Sequence, residues 1–356
     1  MSPDTLLAAP LGFALTLGLI RFLAPRAERW ALIDQPAGGR KDHAGNTPTV
    51  GGLAIVIALA LTGLLLQFAG QVHPAFWAGL LIVALTGTAD DLLELQPTIK
   101  FAAQIAAALA MIYWGGLMLH SLGNLVSTEA LILNRFTVPL TVFAVIGVIN
   151  AINLSDGADG LGGGLAFIAV FWIAVMSAVS AHARPLALTL ALLGCIAAFL
   201  TFNMRSPWRS RAAIFLGDAG SLSLGFALAW LTVDAAQAKL FPPVTAIWLV
   251  AIPISDTIVC MSRRLLHGQS PFRADRTHLH HILIDLGLPV GGAVALIHAI
   301  AFALAAAGVA GWALGVREHV MFYSAMAIFA LYILLVQLGL RRIAARQTAA
   351  AAVHKI

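Results

Sequence analysis

The sequence is dominated by apolar runs long enough to cross a hydrocarbon layer, and this confines the chain to very few kinds of fold. The runs are read at about 5–24, 50–70, 74–89, 100–119, 136–153, 161–180, 185–203, 213–233, 242–262, 292–315 and 318–340. A bilayer core is roughly 30 Å thick, and about 20 helical residues span it. Within lipid, every backbone polar group must be satisfied inside the segment, which a helix achieves. The expected fold is therefore an all-α polytopic membrane protein of about eleven transmembrane helices. Composition agrees, because 60% hydrophobic residues with only 10% charged is far more apolar than a soluble domain of this size. No internal repeat, soluble domain or linker interrupts the pattern beyond the Ala-rich tail 344–353, so residues 1–356 read as a single integral-membrane domain. The first run is not expected to be a cleaved signal peptide, since Asp4 stands where a basic leader would be and the run is too long.

Lys and Arg are retained on the cytoplasmic side of membrane helices, whereas Asp and Glu influence topology little. With the N-terminus outside and the C-terminus cytoplasmic, 17 of the 21 basic residues fall inside and only Arg135, Arg184, Lys239 and Arg317 fall outside. The same arrangement places 12 of the 16 acids inside, including Asp90, Asp91, Asp156, Asp159 and Asp218. The net charge of +5 then reflects this bias and contact with the lipid bilayer's anionic headgroups, so nucleic acid is not an expected partner. The two cysteines, Cys195 and Cys260, lie within spans and apart from any His cluster, and neither a disulfide nor a zinc site is expected.

Five polar segments fall on that inner face. RKDHAGNTPTVGGLAI, residues 40–55, carries Lys41, His43 and Asn46 beside a helix start marked by Pro48 and two glycines. GTADDLLELQPTIKF, residues 87–101, ends one span on Asp90 and Asp91 and opens the next at Lys100. An interfacial acidic pair solvated by water is the bland account, sufficient for Glu94. Ionisable groups at membrane depth are costly and usually face a cavity, which favours function for Asp90 and Asp91. NAINLSDGADGLGGG, residues 150–164, spaces Asn150, Asn153, Asp156 and Asp159 by three, which on a helix places them on roughly one face. Its DGADG lacks the alternating acids and position-twelve acid of a calcium loop.

FLGDAGSLSLGF, residues 215–226, opens a helix on Asp218, either as an N-cap or as a ligand, with Gly217, Gly220 and Ser221 permitting close approach of a phosphate or metal. The long loop SRRLLHGQSPFRADRTHLHHILIDLG, residues 262–287, sets Arg276 beside His278, His280 and His281. Guanidinium and imidazole donors together point to a phosphate rather than to zinc. His298 reads as a packed core residue. Asp256, inside the ninth span, needs a partner, and a structural ion pair is as good an account as catalysis.

Oxygen ligands, phosphate-binding cations and glycine turns on one membrane face make up the inventory of metal-assisted phosphoryl transfer. In their order, from about Lys41 to His281, these segments resemble the polytopic polyprenyl-phosphate N-acetylhexosamine-1-phosphate transferases. ADRTHLHH is similar to the bacterial undecaprenyl-phosphate GlcNAc-1-phosphate transferase subgroup, which starts envelope polysaccharides such as O-antigen; the HHHFE-like segment of the MurNAc-pentapeptide translocase is absent. The resemblance implies transfer of a sugar 1-phosphate from a UDP-N-acetylhexosamine to undecaprenyl phosphate in the bacterial inner membrane, with release of UMP. It also implies Mg²⁺, with Mn²⁺ as a substitute, on Asn153 and Asp218. Asp90 and Asp91 match the family's aspartate pair and are the catalytic candidates. Lys41, Lys100, Arg276, His278, His280 and His281 would bind the phosphates, with Asp156 and Asp159 shaping the uridine pocket or bracing Asn153.

Direct attack by the lipid phosphate and a covalent phosphoryl-aspartate both fit these residues, with direct attack preferred because the dianion needs positioning more than activation, and a homodimer is compatible with the sequence. Two other classes fit the residues less well. A CDP-alcohol phosphotransferase requires Ala-Arg after its DG pair, where this chain has Ala158 and Asp159. A cation-coupled transporter would cluster its carboxylates near the bilayer midplane between inverted repeats.

Overall fold

The computed structural model describes residues 3–34, 46–180, 186–271 and 275–353, with side chains to 348. It is almost wholly helical, in thirteen α-helices: α1 Pro3–Leu23, α2 Gly51–Leu65, α3 Pro74–Leu93, α4 Pro97–Leu109, α5 Thr137–Ser155, α6 Leu161–Val179, α7 Leu186–Asn203, α8 Gly217–Gln237, α9 Pro243–Leu249, α10 Ala251–Leu266, α11 Leu279–Asp285, α12 Val290–Ala313 and α13 Glu318–Val353. The described sheet is one two-residue antiparallel pairing of β1 (Ile33–Asp34) with β2 (Thr47–Pro48), which had no counterpart in the sequence reading. Among the described residues, eight helices are long and apolar enough to cross a membrane, and the bent α9–α10 pair makes a ninth. The chain is a multi-pass membrane protein.

Two of the eleven expected spans fall short of that length. Helix α2 has 15 residues and α4 has 13, the latter extended by a π-helical turn over Ala110–Trp114. At about 1.5 Å per residue, 15 residues reach only about 22 Å, less than a bilayer core. The expected ninth span, 242–262, is broken at Val250, where α9 and α10 meet at 77°. Pro253 explains the position of the break, because its ring would clash with the carbonyl of Leu249 and its nitrogen has no hydrogen to donate to it.

Helix starts follow local chemistry. Pro74 and Pro97 occupy first-turn positions of α3 and α4, where no amide donor is needed, and the Nδ1 of His73 accepts from the Ala75 N–H at 3.2 Å. The bundle is organised around α8, with 89% of its apolar window buried, against 11% for the peripheral α13. Phe76 of α3 packs on Phe226 and Trp230 of α8, with ring centroids 6.2 and 5.4 Å apart. Helices α2 and α8 meet backbone to backbone, since a Cβ on Gly52 would overlap the main chain of Gly220. The Gly51 and Gly52 amides donate to the carbonyls of Phe215 and Leu216 at 3.1 and 2.8 Å, pinning the start of α2 to the approach of α8. This packing delivers the N-terminus of α8 to the ends of α3, α4 and α5.

Candidate active site

Asp218 stands in the first turn of α8, and its carboxylate is shared between two other helices. Its Oδ1 accepts from Asn153 Nδ2 of α5 at 2.7 Å, and its Oδ2 from Lys100 Nζ of α4 at 2.9 Å. Lys100 also donates to Asp90 Oδ2 of α3 at 2.7 Å, bridging the two aspartates. Asn153 donates further to Ser221 Oγ at 2.8 Å. Asp90 Oδ1 accepts from the Leu95 amide at 2.7 Å and so shapes the turn that brings Lys100 back. Residues separated by as many as 131 positions in the chain, Asp90 and Ser221, thus form one polar cluster.

Asp218 is not the N-cap of α8, a position held by Leu216 without a side-chain bond. The open amides are satisfied from α3 instead: Asp91 accepts from Asp218 N–H at 2.8 Å and from Ala219 N–H at 3.2 Å. A carboxylate at the positive end of a helix dipole is well placed. Gly217, at φ +71°, makes this approach possible, because a Cβ there would press on Asp91 Oδ2 and on the Thr49 carbonyl. The expectation that Gly220 leaves room for a ligand is corrected, since that room is filled by Gly52 of α2. The adjacent aspartates therefore divide their work, Asp90 facing Lys100 and Asp91 facing α8.

The spacing of three in the Asn150 segment does not produce one shared face, because α5 ends at Ser155 and Asp156 adopts a non-helical φ −81°, ψ 34°. Asn150 donates to the buried Gln104 of α4 at 2.6 Å, and Asn153 turns to α8. Asp159 pairs with Arg205 at 2.8 Å and accepts from the Ala212 amide at 3.0 Å, tying the α5–α6 turn to the α7–α8 loop. Burial first, then the nearby charges of Asp218, Asp91 and Asp159, holds the Asp156 carboxyl well above the usual carboxylate range.

Of the loop residues, His280 packs against the α5–α6 turn, where a Cβ on Gly157 would come within 2.8 Å of its Nε2. That nitrogen is buried and has no hydrogen-bond partner among the described residues. Burial above all pushes the imidazole down to about 3, so it is neutral near pH 7. His281 stacks on His280 with centroids 4.1 Å apart. Arg276 is half exposed, 3.5 Å from Asp285. His278 lies deeper, its Nδ1 2.7 Å from Asp256 Oδ2. Asp256 thus has the partner its depth demanded. Cys260 corrects the reading that set the cysteines apart from the histidines: its Sγ is 3.5 Å from His278 Nδ1, although Cys195 is remote from them and both thiols are free. His298 contacts the Leu161 carbonyl at 3.3 Å, packed on Gly164. Lys41 and His43 lie outside the described residues.

Sequence reasoning missed Gln104, which lies isolated in an apolar run, and the contribution of Tyr332. It also missed that Asp256, Cys260 and Arg264 recur every four residues and so share one face of α10, a pattern that was legible. A cavity of about 910 Å³ opens at the other end of α8, between His73, Trp230, Asp234 and Gln237, and does not include Asp90, Asp91 or Asp218. In the cluster, Lys100 is shared by Asp90 and Asp218 while Asp91 lies on the amides of α8, and the available ligand atoms are oxygens, the chemistry that suits a hard divalent cation.

Comparison with known proteins agrees in extent with this arrangement. Residues 73–236, from α3 to α8, match glycosyl transferase family 4. The chain is 33% identical to the undecaprenyl-phosphate alpha-N-acetylglucosaminyl 1-phosphate transferase of Escherichia coli K12 over 323 residues, 90% of this chain and 88% of that protein. It is 35% identical to the Yersinia pestis protein of the same name, covering 85% of this chain and 83% of that one. The Haemophilus influenzae counterpart is 32% identical over 91% and 90% of the two chains.

Proposed function

Because the chain belongs to glycosyl transferase family 4, the polyprenyl-phosphate N-acetylhexosamine-1-phosphate transferases, we propose that it transfers GlcNAc-1-phosphate from UDP-GlcNAc to undecaprenyl phosphate, releasing UMP. The observation that carries the reading is the convergence of Asp90, Asp91, Lys100, Asn153 and Asp218 from four helices at the first turn of α8. A lipid-phosphate oxygen attacks the sugar-bearing phosphorus, the diphosphate bridge breaks, and its electron pair leaves with UMP. A phosphate monoester has its second ionisation near pH 6 and is already largely dianionic, so positioning matters more than activation.

Lys100, held between Asp90 and Asp218, is the cation nearest the reacting phosphates, and His280, His281 and Arg276 hold the diphosphate from the loop side. Asn153 and Asp218 would bind Mg²⁺, with Mn²⁺ as a substitute, and when bound the ion offsets the charge that builds on the diphosphate oxygens. Asp90 takes the part of base where one is needed. Direct attack is favoured over a phosphoryl-aspartate because Asp91 already accepts two amides, and Asp90 an amide and an ammonium. The distribution of Lys and Arg supports a cytoplasmic site in a bacterial inner-membrane protein with its N-terminus outside, so that a soluble donor meets a membrane acceptor. The product suits the first membrane step of an envelope polysaccharide such as O-antigen.

The test is UMP release by purified protein with undecaprenyl phosphate, Mg²⁺ and a panel of UDP-sugars, with and without EDTA. Release that needs lipid and metal and is greatest with UDP-GlcNAc is expected; no release with any donor would overturn the reading.

A further inference from the structure

The polar network around Asp256 has no part in the chemistry just described, yet it is more completely bonded than the site itself. Asp256 Oδ1 accepts from Tyr332 Oη of α13 at 2.6 Å and from the Leu279 amide, at the start of α11, at 2.9 Å. Two turns along α10, the buried Arg264 grips Asp275 with two bonds of 2.9 and 3.0 Å and donates to the Pro271 carbonyl at 2.7 Å. Asp275 in turn accepts from the Thr277 amide and hydroxyl at 3.0 and 2.7 Å. Between these two grips sits His278, with Nδ1 on Asp256 at 2.7 Å and Nε2 3.2 Å from Arg264 Nη2. Arginine only donates. The tautomer that satisfies both contacts carries its proton on Nδ1, gives it to Asp256 and accepts from Arg264.

The three groups Asp256, Cys260 and His278 offer atoms within 4.8 Å of one another, the spacing of a metal site. The carboxylate and imidazole are already spent on each other, and a guanidinium lies against the ring, which opposes a dication there. Both ring nitrogens of His278 being engaged, it has none left for a phosphate. The next histidine is its opposite: His280 Nε2 is buried, without a partner among the described residues, and set against Gly157 of the α5–α6 turn.

We infer that Asp256, Arg264 and Tyr332 are positioning residues that clamp His278 as a strut, so that residues 275–281 present His280 to the active-site turn. In this arrangement His278 acts through His280 and does not touch substrate. The role rests on the transferase reading above, whereas the clamp itself can be tested without any substrate.

Amide exchange of the 275–285 segment in detergent-purified protein reads the clamp directly. Asp256→Asn should speed exchange of this segment about tenfold, and Tyr332→Phe, which keeps the charge and the ring, should do so by a smaller factor. His278→Asn, whose amide N–H stands where Nδ1–H stood, should exchange close to wild type and keep most of the UMP release, while His278→Ala loses about tenfold. In the cycle of Asp256→Asn with His278→Ala, the double variant should be little worse than the worse single one. Unchanged exchange in both Asp256→Asn and Tyr332→Phe would overturn the clamp. Additive activity losses, or a His278→Asn variant as inactive as His278→Ala, would make His278 a direct contact. Absence of UMP release in the wild-type protein would remove the transferase reading and leave the exchange comparison to decide the clamp.

Discussion

Two polar clusters stand out in this protein, one at the ends of α3, α4, α5 and α8 and one along a face of α10, and they differ in how their charge is settled. Around Asp218, three aspartates gather where Lys100 is the one ammonium among the described residues; it bonds Asp90 and Asp218, and the remaining bonds come from amides of α8, of the turn after α3 and of Asn153. Around Asp256, every oxygen and ring nitrogen has a partner within the network. Buried carboxylates left in excess of cations are costly unless a cation or substrate completes them, whereas a saturated network only rigidifies. The contrast supports the proposal that the first cluster receives ligand charge and that the second is the frame for its neighbour.

The largest expected effect is on the unbalanced side. Asp218→Asn should lower UMP release by about 10³-fold while the protein still elutes as a folded monodisperse species in detergent; wild-type rates in this variant would remove Asp218 from the site. Asp90→Asn should lose about 10²-fold and flatten the acid limb of the rate profile, as removal of a base does. An acid limb that stays in place would leave Asp90 only its hold on Lys100 and the Leu95 turn.

His280 joins the two clusters, and its sign can be worked out. A histidine held at about 3 when folded and at its ordinary 6.5 when unfolded leaves the unfolded chain binding more protons as pH falls below 6.5. Stability present above that pH is lost on acidification, by about 2 kcal/mol between pH 7 and pH 5. His280→Gln should therefore melt with a weaker dependence on pH over that range than wild type, and an equal dependence would contradict the buried neutral imidazole. The smallest effect belongs to the partly exposed pair of Asp159 and Arg205, where Arg205→Gln should cost no more than about 1 kcal/mol in thermal melting. A loss of activity far beyond that would move Arg205 out of the frame and into the site.

The legible part of the site was that carried by residue type at helix ends. Asp90, Asp91, Lys100, Asn153 and Asp218 stand out because polar groups are rare and expensive in apolar runs, and the structure brings all five together. Spacing misled at Asn150 to Asp159, because the helix on which a shared face depends ends at Ser155. It misled again at Gly220, whose missing side chain serves helix packing. The role of Tyr332 had no local signal, since its hydroxyl acquires meaning only where α13 crosses α10.

The sequence by itself determined that the chain is helical and membrane-spanning and that its carboxylates lie at helix ends, because the length of an apolar run and the cost of a charge in lipid are local properties. Only the tertiary structure decided that Asp91 caps α8, that Lys100 bridges Asp90 and Asp218, that α9 and α10 break at Val250, and that Cys260 lies beside His278. Those outcomes depend on which helices approach one another and at what angle, and that is settled by packing between segments far apart in the chain.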